Sequence, residues 1–297
     1  MWCSRLDADT FSDAAVIDEL SGMINVKINA ASEKGRILAE TYQIQGVPQL
    51  VFIDKKGQEI DRIVGYLPPE DYLIRVGEIQ AGKNTLPDLK TRYAANTKNL
   101  DVSSMLAEKY EQMGAVEEAT EVYGAILINH GDNPEERVNR ARFFMTMQSF
   151  FVGDTKSLYS FIQDYPESRY VRSAYEELSR YHAAKGNIEE EIAALDALVE
   201  QDPEDPHLLN QYAWRMTELE RNLESALDMA RKSIQLLADD PSSQVNVLDT
   251  EAELLWKLDR PDEAIKVINK ALTLDPENPY LEQQKDKFEG KNVAGAK

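Results

Sequence analysis

The 297-residue sequence holds a single cysteine, Cys3, which excludes any internal disulfide. Its three histidines, His130, His182 and His207, are scattered and make no metal-ligand cluster. Neither a phosphate-cradling glycine loop nor a nucleophile elbow is present. The expectation is therefore no metal and no cofactor. No apolar run approaches the roughly 20 residues that span a bilayer. At MWCSRLDAD, acidic residues stand where a secretory signal would place its apolar core. As written, the sequence predicts no membrane span and a cytoplasmic location. A periplasmic or exported one follows if a signal lies upstream of a misassigned start.

Positive charge is scarce, and unevenly so. Residues 1–98 carry 12 Lys/Arg against 14 Asp/Glu, whereas residues 99–297 carry 21 against 39, within a total net charge of -20. So acidic a second half repels nucleic acid and anionic membranes, which are excluded as partners. With 42% hydrophobic and 29% charged residues, the chain has the composition of a globular protein of about two domains.

The first ninety residues alternate between two periodicities. Ala15, Val16, Ile17 and Leu20 fit one helical face after Ser12, a plausible cap. INVKIN (24–29) alternates strictly and reads as a strand, with Ile24, Val26 and Ile28 on one side. SEKGRILAETYQI reads as a second helix, using Ile37, Leu38 and Tyr42. QLVFID (49–54) reads as a strand buried on both faces, and the turn at 54–57 leads into a further strand, EIDRIVGY. LPPEDYLIRVGEI follows as a helix with proline in its first turn. The order helix, strand, helix, strand, strand, helix specifies a small α/β sheet layered by helices.

Three motifs in this region, Trp2-Cys3, TFSD at 10–13 and Gly46-Val47-Pro48 before the apolar strand, resemble a thioredoxin-fold domain from its active site onward. The resemblance implies a cis Val47–Pro48 peptide beside the active-site cysteines, a minority state for X-Pro bonds. It makes Trp2, Val47 and Pro48 active-site neighbours. Two registers fit Cys3. Either it is the exposed first cysteine of a C-x-x-C, with Leu6 in place of the second, or it is the second, resolving cysteine. Relatives with a TFSD-like motif place its threonine seven residues after the second cysteine, and Thr10 stands seven after Cys3, which favours the latter. The first cysteine would then precede Met1, inside a C-M-W-C motif, and the central strand of the sheet would lie further upstream. A chain with the resolving thiol alone cannot cycle between dithiol and disulfide.

The second half repeats. Pro134, Pro166, Pro203, Pro241 and Pro276 are spaced by 32, 37, 38 and 35 residues, each after a pair of amphipathic helices. In the clearest unit Ala252 and Leu255 belong to the first helix and Ala264, Ile268 and Ala271 to the second. A second unit has Ala107, Tyr110, Gly114, Ala119 and Tyr123, and in a third Gly186 stands between the helices. Asp259 occupies the turn position where glycine is usual, and YAWRMTELERNLESA (212–226) carries an extra residue in its turn. The aromatics Tyr110, Tyr123, Phe161 and Tyr181 read as core. This pattern resembles a tetratricopeptide repeat array, which implies a stacked solenoid with a groove for a protein or peptide partner. An acidic groove prefers basic or neutral partners.

The fold class expected is an α/β thioredoxin-like partial domain followed by an all-α tetratricopeptide repeat solenoid. Its boundaries are 1–82 for the partial domain, 83–98 for a linker and short helix, 99–290 for the array and 291–297 for a disordered tail. The functional expectation is a protein-binding scaffold with a redox-incompetent thioredoxin-like domain. The alternative is a truncated record of a thiol–disulfide oxidoreductase.

Overall fold

Side chains that cap free amides set the starts of six helices in the computed structural model, which describes residues 2–291. The expected tail, apart from Lys291, lies outside the described residues. Helix α1 (Trp2–Arg5) runs into a π-helical turn (Leu6–Thr10). Helix α2 (Ala14–Leu20) starts at Asp13, whose carboxylate accepts from the amides of Ala15 and Val16. Ser12, expected as that cap, instead donates its hydroxyl to the Ala8 carbonyl at 2.5 Å. Asp13 is one residue nearer the free amides and captures them. Ser32 caps α3 (Glu33–Thr41), accepting from Gly35. Strands β1 (Gln49–Ile53) and β2 (Glu59–Val64) pair antiparallel, Gln49 opposite Val64. The turn between them is closed by Asp54, which accepts from the amides of Lys56 and Gln58. Pro69 opens α4 (Pro69–Gln80). Val16, Ile63, Tyr72, Val76 and Ile79 form the core of this module.

Three expectations need correction. Ile24–Asn29 is not a strand; it is a chain segment without regular structure, with Ile24 96% and Val26 72% exposed. Alternation makes a segment competent to pair, but among the described residues the sheet consists of β1 and β2 alone and this segment is not hydrogen-bonded into it. For the same reason β1 is half-buried rather than covered on both faces. Ile17, Ile37 and Leu38, assigned to apolar helix faces, are exposed; among the described residues no third strand covers them. The Val47–Pro48 peptide is cis, as the resemblance implies.

Beyond a short helix α5 (Leu86–Ala95), antiparallel helix pairs follow: α6 (Leu100–Met113) with α7 (Val116–His130), then α8 (Glu136–Phe151) with α9 (Lys156–Asp164). The pairs continue as α10 (Tyr170–Lys185) with α11 (Ile188–Gln201), α12 (Pro206–Leu219) with α13 (Leu223–Leu236), and α14 (Pro241–Lys257) with α15 (Pro261–Leu274). Helix α16 (Pro279–Phe288) closes the array. Ala107, Ala119, Tyr123, Ala252, Leu255, Ala264, Ile268 and Ala271, picked from the spacing, are all fully buried. Tyr110 and Phe161 are core as well, while Tyr181 is half-buried, edge-on to the His182 ring. Gly114 and Gly186 end their helices at positive φ, 71° each, and Asp259 takes the same left-handed conformation at φ 59°.

The chain divides into two compact units, one ending at Ser168 and the other starting at Arg169. The first holds the α/β module and helices through α9; the second holds α10 to α16. A single apolar cluster from Ile192 to Phe288 lies wholly within the second unit. Residues 169–291 expressed alone are therefore expected to give a helical circular dichroism spectrum and one cooperative melt. A disordered spectrum would show that this cluster does not suffice.

Candidate functional site

The TFSD motif builds the platform under Cys3. Thr10 is fully buried and donates its hydroxyl to the Leu67 carbonyl at 2.5 Å. Phe11 packs edge-on against Tyr72, with ring centroids 5.8 Å apart. With Leu6 also buried, the π-helical turn is anchored at both ends. Cys3 is a free, exposed thiol. Beside it Trp2, 53% exposed, stacks on Tyr66 at 6.1 Å. The Arg5 guanidinium lies over the Tyr66 ring at 4.5 Å and over the Trp2 ring at 5.9 Å. Asp9 accepts from the Tyr66 hydroxyl at 3.1 Å and from Arg5 at 3.3 Å.

Tyr66 connects this cluster to the cis-proline. The amide of its neighbour Gly65 donates to the Pro48 carbonyl at 2.9 Å, extending the β1–β2 ladder by one rung. Gly65 has φ 84°, a turn conformation that favours glycine, and it carries the chain from the ladder to Tyr66. Val47 is exposed at the same end of the hairpin. Trp2 and Pro48 are thus both tied to the Gly65–Tyr66 corner. The sequence singled out Trp2, Cys3, Val47 and Pro48 but not Arg5, Asp9 or Tyr66. A tyrosine just after a strand-ending glycine was the one available signal. Chemically, an exposed thiol beside an aromatic and cationic surface can be approached by a protein partner and can form one mixed disulfide. Among the described residues it has no second thiol to resolve it.

A second surface lies in the repeat unit from Arg169 onward. Helix α12 touches α14 directly, so the first helices of successive pairs share a face. Across that face the Tyr280 hydroxyl donates to Asp249 at 3.1 Å, and Lys287 donates to both oxygens of Glu253 at 2.7 and 2.8 Å. Lys287 also lies 4.2 Å from the Trp256 ring centroid. Trp214 is partly exposed and donates to Glu218 at 3.1 Å. Asp249 is 8% exposed, and its Oδ1 has no hydrogen-bond partner. Burial pushes its carboxyl up to about 6, with nearby Glu253 adding to the shift against the opposing pull of Tyr280 and Lys287. Asn210, three residues before buried Ala213 as Asp249 is three before Ala252, likewise has a buried, unpartnered Oδ1.

Residues 2–80 match the thioredoxin-like domain family, and residues 247–278 match the tetratricopeptide repeat. The molecule is thus a thioredoxin-like α/β domain joined to a tetratricopeptide repeat solenoid. The chain is similar to the thiol:disulfide interchange protein DsbD of Pasteurella multocida (strain Pm70). The two are 32% identical over 85 residues, 26% of this chain and 15% of that protein. It is also similar to the thioredoxin-like protein HCF164, chloroplastic, of Oryza sativa subsp. japonica, at 28% identity over 86 residues, 29% of this chain and 32% of that one. The chain therefore spans a third or less of the length of these relatives. Among solved structures it is similar to YrrB, described as a TPR protein with an unusual peptide-binding site. There the identity is 13%, the TM-score 0.48 and the coverage 67% of this chain and 97% of that one. Among the described residues no helix is long and apolar enough to cross a membrane.

Asp249 makes a pH-dependent demand on the repeat unit. Its pKa in the folded state is raised above the unfolded value, so the folded state disfavours its charge at neutral pH. That cost is relieved as pH falls through about 6. Asp249→Asn, which keeps an acceptor for Tyr280, is expected to raise unfolding stability by about 1–3 kcal/mol near pH 7.5. The gain should shrink towards pH 4.5. Urea titrations of residues 169–291 at the two pH values read it directly; an equal effect at both would assign the change to packing.

Proposed function

We propose that this chain is a protein-binding scaffold. In this reading the repeat helices hold a protein or peptide partner, and the thioredoxin-like domain serves as a docking module around Trp2, Val47 and Pro48. The observation that carries the reading is the lone exposed thiol. Dithiol–disulfide turnover needs one thiolate to attack the substrate and a second to release it from the mixed disulfide. With Cys3 alone the cycle stops at the mixed disulfide, so Cys3 takes at most the role of a resolving thiol for a partner's cysteine. The domain layout that goes with this reading is 1–82 for the thioredoxin-like part, 83–98 for the connection and 99–290 for the array.

A second reading, thiol–disulfide exchange, is favoured by the names of the relatives. It requires a further thiol that these 297 residues do not contain. An exported or periplasmic location goes with that reading, and a cytoplasmic one with the scaffold. The acidity of residues 99–297 supports a basic or neutral partner under either.

Two measurements test the proposal. In an insulin-reduction assay with dithiothreitol, the chain is expected to show no turnover above the uncatalysed rate. Turnover comparable to a two-cysteine thioredoxin would sink the scaffold reading. In titrations at low salt, a lysine-rich peptide is expected to bind about tenfold or more tightly than a glutamate-rich one of equal length, the gap closing as salt is added. Equal binding of the two would remove charge as the selector.

A further inference from the structure

Asp61 lies on β2, is 3% exposed, and is surrounded by cations from two different parts of the first unit. Its Oδ2 accepts from the Arg75 guanidinium, which comes from α4 of the thioredoxin-like domain. Its Oδ1 accepts from Lys109 Nζ at 2.5 Å, and Lys109 comes from α6, the first repeat helix. Arg75 is held in place by Glu78 at 2.8 Å and by the Asn84 carbonyl at 3.3 Å. Burial pulls the Lys109 pKa down while its contact with Asp61 pulls it back up, so the ammonium depends on this partner.

The same helix is touched a second time. Gly114 closes α6 at φ 71°, and the Gln45 side-chain amide fills the space that a Cβ on Gly114 would occupy. Gln45 lies three residues before the cis-proline. Among the described residues the buried core of the α/β module and that of α5 to α8 are separate clusters. The buried polar contact across the junction is the Asp61–Lys109 pair, and a charged pair is more exacting in geometry than apolar packing. A buried ion pair adds little net stability over an apolar replacement, but it is specific in direction and distance.

We propose that Asp61 is a latch that sets the orientation of the thioredoxin-like domain on the first repeat helix. It thereby fixes the Trp2–Tyr66–Pro48 corner relative to the first repeat. Strand β2 transmits the constraint. It runs from Asp61 through Val64 directly into Gly65 and Tyr66, so a shift of α6 against β2 is felt at the corner. Asp61, Arg75 and Lys109 act here as positioning residues, without touching the thiol.

The test uses the full chain and its own Cys3 as one spin-label site, with Ile128→Cys as the other. Ile128 is on α7 and 86% exposed. Double electron–electron resonance on this parent is expected to give one narrow distance distribution. Lys109→Met removes the α6 cation, keeps the stem and leaves Asp61 with Arg75. It is expected to broaden the distribution by about a factor of two or more, on the scale of hinge motions, with circular dichroism unchanged. Lys109→Arg should restore the narrow peak. A distribution of unchanged width in Lys109→Met would overturn the latch, whatever that variant does to the melting temperature. Should Lys109→Met fail to fold, the pair Asp61→Asn with Lys109→Met leaves neither an anionic Asp61 nor a Lys109 cation at the junction, and the same two outcomes apply to it.

Discussion

Close approach of paired helices is the constraint on which the array depends. In three of its pairs, both helices supply an alanine with no exposed surface: Ala107 and Ala119, Ala213 and Ala226, Ala252 and Ala264. A small side chain at such a crossing lets the larger neighbours, such as Leu106, Tyr123, Tyr212 and Leu255, fill the flanks without strain. A larger residue there would overpack a core already near its limiting density, at about 1–3 kcal/mol for each added bulk. Stability then accumulates pair by pair, which is why acidic surface and irregular turns are tolerated elsewhere.

That constraint is also why the array was legible. Alanines at fixed offsets, a proline after each pair and a turn residue between the helices are local signals, and they survive in sequence even when one of them changes. Asp259 stands at the turn and supplies its left-handed residue, since aspartate is among the side chains that reach this conformation at modest cost. The α/β module was legible where motifs are local, as in TFSD and the cis-proline, and misleading where structure is relational. Ile24–Asn29 has the alternation of a strand, but a strand is a property of a pair, and alternation says nothing about whether the other member is present.

The same distinction divides the residues around the thiol. Trp2 and Cys3 declare themselves as neighbours in sequence. Tyr66 meets Asp9 across 57 residues and Asp61 meets Lys109 across 48, and nothing in EIDRIV distinguishes a buried aspartate from an ordinary outward-facing one. Such pairs become visible only when the chain is folded. They are also the ones that define how the thiol-bearing corner is presented.

The unpaired segment at Ile24–Asn29 has a colloidal consequence. Ile24, Val26 and Ile28 point alternate apolar side chains into water. A stretch of that kind is a template on which another chain's backbone can settle. What opposes such encounters is long-range repulsion between molecules of net charge -20. This repulsion reaches about 8 Å at physiological ionic strength and about 3 Å at 1 M salt. Added salt therefore lowers the barrier while leaving the adhesive stretch untouched.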